Sequence, residues 1–83
     1  MIKYFYGGVP MFFRRLRDLR EDNDLKQKDI ANYLHCSQQA YSNYELGIRV
    51  IPPEIIIDLA EYYKTNTDYL LGLTDNKTYY KKL

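Results

Sequence analysis

Gln38, Gln39, Ser42 and Asn43 recur at a spacing that gathers them on the outer side of a helix from about Gln38 to Leu46, with Tyr41 and Tyr44 on its inner side. The outer face is therefore amide and hydroxyl, not charge. An amide donates and accepts at once, which suits recognition of a polar edge; taken as three isolated amides, Gln38, Gln39 and Asn43 read more simply as a solvated surface. Bond-making chemistry lacks its parts. There is no Ser/His/Asp or Cys/His set that could share a site, no phosphate-binding glycine loop and no isolated carboxylate pair, so the chain is expected not to be an enzyme. His35 and Cys36, the single histidine and single cysteine, cannot make a metal site between them. They read as a turn residue and a core thiol, and no cofactor or metal is expected.

The elements that would position this face follow from periodicity and punctuation. Phe12, Leu16 and Leu19 mark a first helix, with Arg14, Arg15, Arg17, Asp18, Arg20 and Glu21 on its other side. The four arginines are expected to form a solvated face balanced by Asp18, Glu21, Asp22 and Asp24. After Asp22-Asn23-Asp24, residues 25–34 form a second helix burying Ile30, Ala31 and Leu34. His35-Cys36-Ser37 is a three-residue break, with Ser37 placed to cap the third helix and Gly47 to stop it. Residues 48–51 form a loop, and Pro52-Pro53 opens a fourth helix whose inner stripe is Ile56, Leu59, Ala60 and Tyr63. Asn66 caps a short fifth helix through Leu71, ended by Gly72. Tight connections between five short helices imply an all-α, compact five-helix bundle. Residues 1–10 read as an arm and turn, 11–74 as the domain and 75–83 as a polar, aromatic tail.

Residues 27–47 thus comprise two short helices, a three-residue turn between them and a polar outer face on the second. This is a helix-turn-helix arrangement, and the second helix of such a pair can enter a DNA major groove ~12 Å wide. Four segments in order carry a closer likeness: Leu-Arg-Asp-Leu-Arg-Glu (16–21), Leu-Lys-Gln-Lys-Asp-Ile-Ala (25–31), Cys-Ser-Gln-Gln-Ala-Tyr-Ser-Asn-Tyr-Glu-Leu-Gly (36–47) and Asp-Tyr-Leu-Leu-Gly (68–72). Over about residues 12–74 the chain resembles the Cro/C1-type, XRE-like helix-turn-helix proteins, which include lambdoid phage repressors and short bacterial regulators.

The resemblance implies a lambda repressor-like DNA-binding domain and assigns roles. Gln38, Gln39 and Asn43 fall on base-reading positions, where their amides suit adenine N6/N7, with Ser42 as a smaller base contact. Gln27 at the start of helix 2 would hold a phosphate, joined by Ser37, by Arg49 in the loop after helix 3, and by Lys26 and Lys28. Glu45 is expected to be structural, bonded to basic or backbone groups. Three departures stand out. His35 occupies a turn position where the family usually has glycine and a positive φ is often needed. Tyr41 replaces a branched aliphatic, so its hydroxyl must find a partner or reach the surface. Pro53 replaces an apolar residue at the start of helix 4.

Bulk properties set the frame. The 83 residues suffice for one domain, 46% of them are hydrophobic, and ten tyrosines and three phenylalanines accompany no tryptophan. Net charge is +1, but unevenly spread: residues 1–50 carry eight basic and six acidic side chains, residues 51–74 one and four, and residues 75–83 three and one. An anion-binding face belongs on the first half. A lone cysteine and the lack of a long apolar run fit a cytoplasmic protein with no membrane partner. The implied function is a transcriptional regulator, a repressor on a palindromic operator, binding double-stranded DNA as a homodimer with recognition helices ~34 Å apart. Tyr62, Tyr63, Tyr69, Tyr79 and Tyr80 read as core and surface aromatics or as a dimer interface. Regulation would come from a partner protein, dimerisation or abundance. The competing reading is a protein-interaction module on the same fold, an antitoxin-like or anti-repressor subunit.

Overall fold

A computed structural model describes residues 5–6 and 9–10, as backbone, and 13–80. The helices are α1 (Arg14–Asp22), α2 (Gln27–Leu34), α3 (Gln38–Glu45), α4 (Pro53–Tyr62) and α5 (Thr67–Leu70). Ahead of them, β1 (Phe5–Tyr6) and β2 (Val9–Pro10) pair antiparallel, with Phe5 opposite Pro10 and Tyr6 opposite Val9. The arm read from the sequence is thus a minimal hairpin where it is described. Phe12, expected on the buried stripe of the first helix, lies outside the described residues.

Helix starts follow local chemistry. Ser37 accepts the Ala40 N–H at 3.0 Å, and Asn66 accepts the Tyr69 N–H at 2.8 Å. Pro52 and Pro53 supply extended entry and first-turn geometry for α4, where a missing N–H costs nothing. At α2 the Asp29 carboxylate accepts the Lys26 N–H at 2.9 Å, half of a capping box. The helix therefore begins two residues after Leu25, which instead joins the core.

All five helices end alike. A residue with left-handed φ follows each one: Asp24 (55°), His35 (58°), Gly47 (74°), Lys64 (53°) and Gly72 (78°). The next N–H in every case reaches back five residues: Leu25 to the Arg20 carbonyl, Cys36 to Ala31, Ile48 to Asn43, Thr65 to Ala60 and Leu73 to Asp68, at 2.9–3.0 Å. This is the Schellman closure, which satisfies carbonyls a helix end would otherwise leave open. His35 thus adopts the conformation for which the family uses glycine, and the turn between α2 and α3 keeps its shape at a modest backbone cost.

Leu16, Ile30, Ala31, Leu34, Tyr41, Tyr44, Ile51, Ile56, Leu59, Ala60 and Leu70 form one buried cluster, edged by Phe13, Leu19, Leu25, Tyr62 and Tyr63. Every helix contributes. The extensive packing of α2 on α3 and the contacts of α1 with α3 and α5 hold the two helices of the turn against a common floor. No helix among the described residues is long and apolar enough to cross a membrane.

Residues 74–80 lie along the bundle. Thr65 donates to the Lys77 carbonyl at 3.1 Å, and the Asn66 amide donates to the carbonyls of Asn76 and Thr78 at 2.9 and 2.8 Å. The Tyr79 hydroxyl donates to the Glu61 carboxylate, 2.7 and 2.8 Å from its two oxygens. Arg15 completes the attachment: it donates to the carbonyls of Tyr69 and Thr74, pairs with Asp75 and stacks over the Tyr69 ring at 4.1 Å.

Candidate nucleic-acid interface

Eight helical residues make α3 about 12 Å long, enough for two turns to lie in a groove. Tyr41 and Tyr44 point inward and are buried. Gln38 and Gln39 are exposed, and Ser42 and Asn43 half-exposed, so all four sequence-assigned base contacts share the outer side. Gln39 donates through Nε2 to Asn43 Oδ1 at 3.1 Å, an i,i+4 amide pair. The Gln39 nitrogen keeps a second hydrogen and each amide oxygen a second lone pair, so either amide can engage a base edge while this bond is kept. The pair holds two long side chains near the helix surface.

The residues assigned to phosphate divide into two groups. Lys26, Gln27 and Lys28 cluster at the start of α2, while Ser37 caps α3 and Arg49 follows it. Lys26, Lys28 and Arg49 are exposed and form no ion pair with another described residue. The Arg49 N–H reaches the Asn43 carbonyl at 3.3 Å, so the loop folds back onto the last turn of α3. Ser37 uses its oxygen to cap the helix, which leaves its hydroxyl hydrogen available to an acceptor outside.

Beneath this surface lies a buried ion pair. Glu45, 2% exposed, accepts from Arg20 twice, Nε to Oε2 and Nη2 to Oε1, each at 2.9 Å. Arg20 Nη1 also donates to the Leu25 carbonyl at 3.0 Å, and Gln27 Nε2 donates to Glu45 Oε1 at 3.3 Å. One carboxylate thereby ties α1, the entry to α2, and the end of α3. Burial acts to raise the Glu45 pKa, but the hydrogen bonds and charge of Arg20, with the nearby Tyr41 hydroxyl and the Gln27 bond, outweigh it and hold the carboxyl below its ordinary range. The same Glu45 bond pushes the Arg20 pKa up. Glu45 is structural, as its place in Tyr44-Glu45-Leu46-Gly47 suggested.

Two sequence expectations need correction here. Arg15 and Arg20 do not belong to a solvated arginine face; only the Arg14–Asp18 and Arg17–Glu21 pairs, at 3.7 and 3.1 Å, are of that kind. Their true partners, Asp75 and Glu45, lie 60 and 25 residues away in sequence, beyond the reach of any helical spacing rule. Nor does the Tyr41 hydroxyl find a partner or reach solvent. It is fully buried, faces Glu45 without reaching hydrogen-bond geometry and, like the Tyr63 hydroxyl, has no partner among the described residues. Burial, then the nearby carboxylate, push its pKa far up, so it stays neutral.

Residues 16–70 match the family described as Helix-turn-helix. The chain belongs to the helix-turn-helix family. This helix-turn-helix protein is 33% identical over 66 residues to an uncharacterized HTH-type transcriptional regulator, YobD of Bacillus subtilis (strain 168), covering 80% of this chain and 59% of that one. It is 34% identical over 59 residues to the HTH-type transcriptional regulator ImmR of the same organism, covering 71% and 46%. It is 36% identical over 53 residues to the cryptic phage CTXphi transcriptional repressor RstR of Vibrio cholerae, covering 64% and 48%. The chain spans about half the length of the curated relatives it matches. No solved structure gives a significant match. The Cro/C1-type likeness and the all-α, five-helix fold read from the sequence are borne out.

Proposed function

We propose that the protein is a sequence-specific DNA-binding transcriptional regulator, a repressor that reads a palindromic operator with α3 in the major groove. The carrying observation is the exposed amide face of α3, raised on a capped helix and fixed from below by the Arg20–Glu45 pair. Gln38, Gln39 and Asn43 read base edges, with Ser42 as a smaller contact. Gln27, Ser37, Arg49, Lys26 and Lys28 hold phosphates on either side and set the register. The relatives' names, transcriptional regulators and a phage repressor, support the same reading.

A homodimer fits this function. A palindrome presents two equivalent half-sites, and a two-fold pair would set two α3 helices one turn of DNA apart. Leu46, Ile48 and Val50 favour it: they are exposed apolar side chains immediately after α3, 47%, 67% and 87% accessible, where burial against a second copy would remove them from water.

Selection of binders from a random duplex library at moderate salt tests the proposal. A recovered palindrome whose enrichment disappears in the Gln38→Ala/Gln39→Ala/Asn43→Ala variant supports readout by α3. All three side chains lie outside the core, so the variant should stay folded. Absence of enrichment from folded wild-type protein, even at low salt, would turn the assignment towards a protein-binding module.

A further inference from the structure

We propose that Glu45 is a positioning residue for DNA binding: it fixes the Gln27 amide so that an N–H, not the carbonyl, is presented to the phosphate backbone. This role rests on the DNA-binding reading above.

Gln27 stands in the first turn of α2, half-exposed, with its Nε2 directed at Glu45 Oε1. An ionised carboxylate can only accept. Rotating the amide by half a turn would place its carbonyl oxygen against Glu45 and lose the bond, so the carboxylate selects one of two otherwise similar orientations. The amide nitrogen has a second hydrogen, free for an acceptor outside. A phosphate oxygen also only accepts, so the orientation chosen by Glu45 is the one a phosphate requires.

The backbone is fixed by the same group. Arg20 binds Glu45 with two nitrogens and the Leu25 carbonyl with the third, so the chain two residues before Gln27 and the Gln27 side chain are both referred to one carboxylate on α3. The position of a phosphate contact on α2 is thereby set relative to the base-reading helix. Because Arg20 neutralises Glu45, the carboxylate can act this close to phosphates without repelling them.

The test is a double-mutant cycle in the full chain, with Gln27→Ala, Glu45→Gln and the two combined, measured against a duplex carrying the selected palindrome. In the wild-type background, Gln27→Ala should weaken binding about tenfold, the size expected for a hydrogen bond to a charged group. The salt dependence should stay unchanged, because a neutral amide displaces no counterion. With Glu45→Gln already present, Gln27→Ala should change affinity less than about twofold, since the amide has lost its preferred orientation. Equal losses in both backgrounds would overturn the proposal. Should Glu45→Gln fail to fold, Glu45→Asp replaces it in the cycle, keeping the charge for Arg20 while drawing the carboxylate back from Gln27.

The side-chain amide resonances of Gln27 in free protein supply an arm independent of DNA. One hydrogen should be shifted by its bond to Glu45 and lose that shift in the variant. Duplex binding by a wild-type protein whose Gln27 amide shows no such bond overturns this role alone. A bonded amide in a folded protein that retains no duplex overturns the DNA reading, and this role with it.

Discussion

Two carboxylates, Glu45 and Glu61, each accept hydrogen bonds from a side chain far away in sequence, and they differ in the donor, a charged guanidinium against a neutral hydroxyl, and in how much water surrounds them. Glu45 is 2% exposed and its partner Arg20 is held on three sides, so neither group has solvent to fall back on. Glu61 retains about a third of its side-chain surface, and its partner Tyr79 belongs to an extended segment at the edge of the fold. The two acceptors therefore do different things. At Glu45 the energetics are governed by the penalty of leaving a buried charge unpaired; at Glu61 water can replace the lost bond. The first joins three helices into the frame of the proposed interface, and the second lays the tail on that frame.

Removing the buried carboxylate should produce the largest effect. Glu45→Ala strands Arg20 in a nearly dry site, and a loss of about 3–5 kcal/mol in unfolding free energy is expected by denaturant titration. The folded carboxyl titrates below its ordinary value of 4.5, so its contribution is complete above that pH and disappears as pH falls through the folded value. The gap between wild type and variant should accordingly narrow in acid. A gap below about 1 kcal/mol at neutral pH would mean that water reaches the pair, and the contrast with Glu61 would collapse.

The comparison also explains what was legible in the sequence. Helical stripes, the Ser37 and Asn66 caps, the Gly47 and Gly72 stops and the outward amides of α3 all depend on residues within one or two turns of each other, where periodicity and capping rules operate. The structural role of Glu45 came through because a family segment marked it. What escaped were long-range polar partners: Arg15 with the segment at 74–75, Arg20 with Glu45, Tyr79 with Glu61. A surface arginine and a clamping arginine are identical in a helical pattern, and only the packing of α1 against α3 and α5 separates them. Leu25 escaped for a related reason: an apolar residue in register extends a helical stripe on paper, yet here it serves the Schellman closure of the preceding helix.

Asn66 lies between the two cases, because it caps α5 with its oxygen and holds the tail with its nitrogen. Asn66→Ala should cost roughly 1–2 kcal/mol, of which a cap alone accounts for about 1 kcal/mol. Ser37→Ala, which removes only a cap, is the natural reference in the same thermal or denaturant experiment. Equal losses from the two substitutions would show that the tail attachment contributes nothing to folding. Asn66→Asp keeps an accepting oxygen for the Tyr69 N–H but turns a carboxylate towards the carbonyls of Asn76 and Thr78, so it should release the tail while sparing the helix.

The smallest global effect is expected from Tyr79→Phe. The hydroxyl gives up water to reach Glu61 and regains it on release, so the midpoint of unfolding should not move measurably. The consequence should be local. Without the bond to Glu61, backbone amides near Tyr79 should exchange with solvent a few-fold faster, while those in α2 and α3 keep their protection. Faster exchange throughout would instead make the tail part of the cooperative unit, and the Tyr79–Glu61 contact would then have to be classed with the buried pair at Glu45 and not set against it. Confinement of the change to residues 74–80 would establish that the frame carrying α3 is complete without the tail, as the burial of Glu45 and the exposure around Glu61 imply.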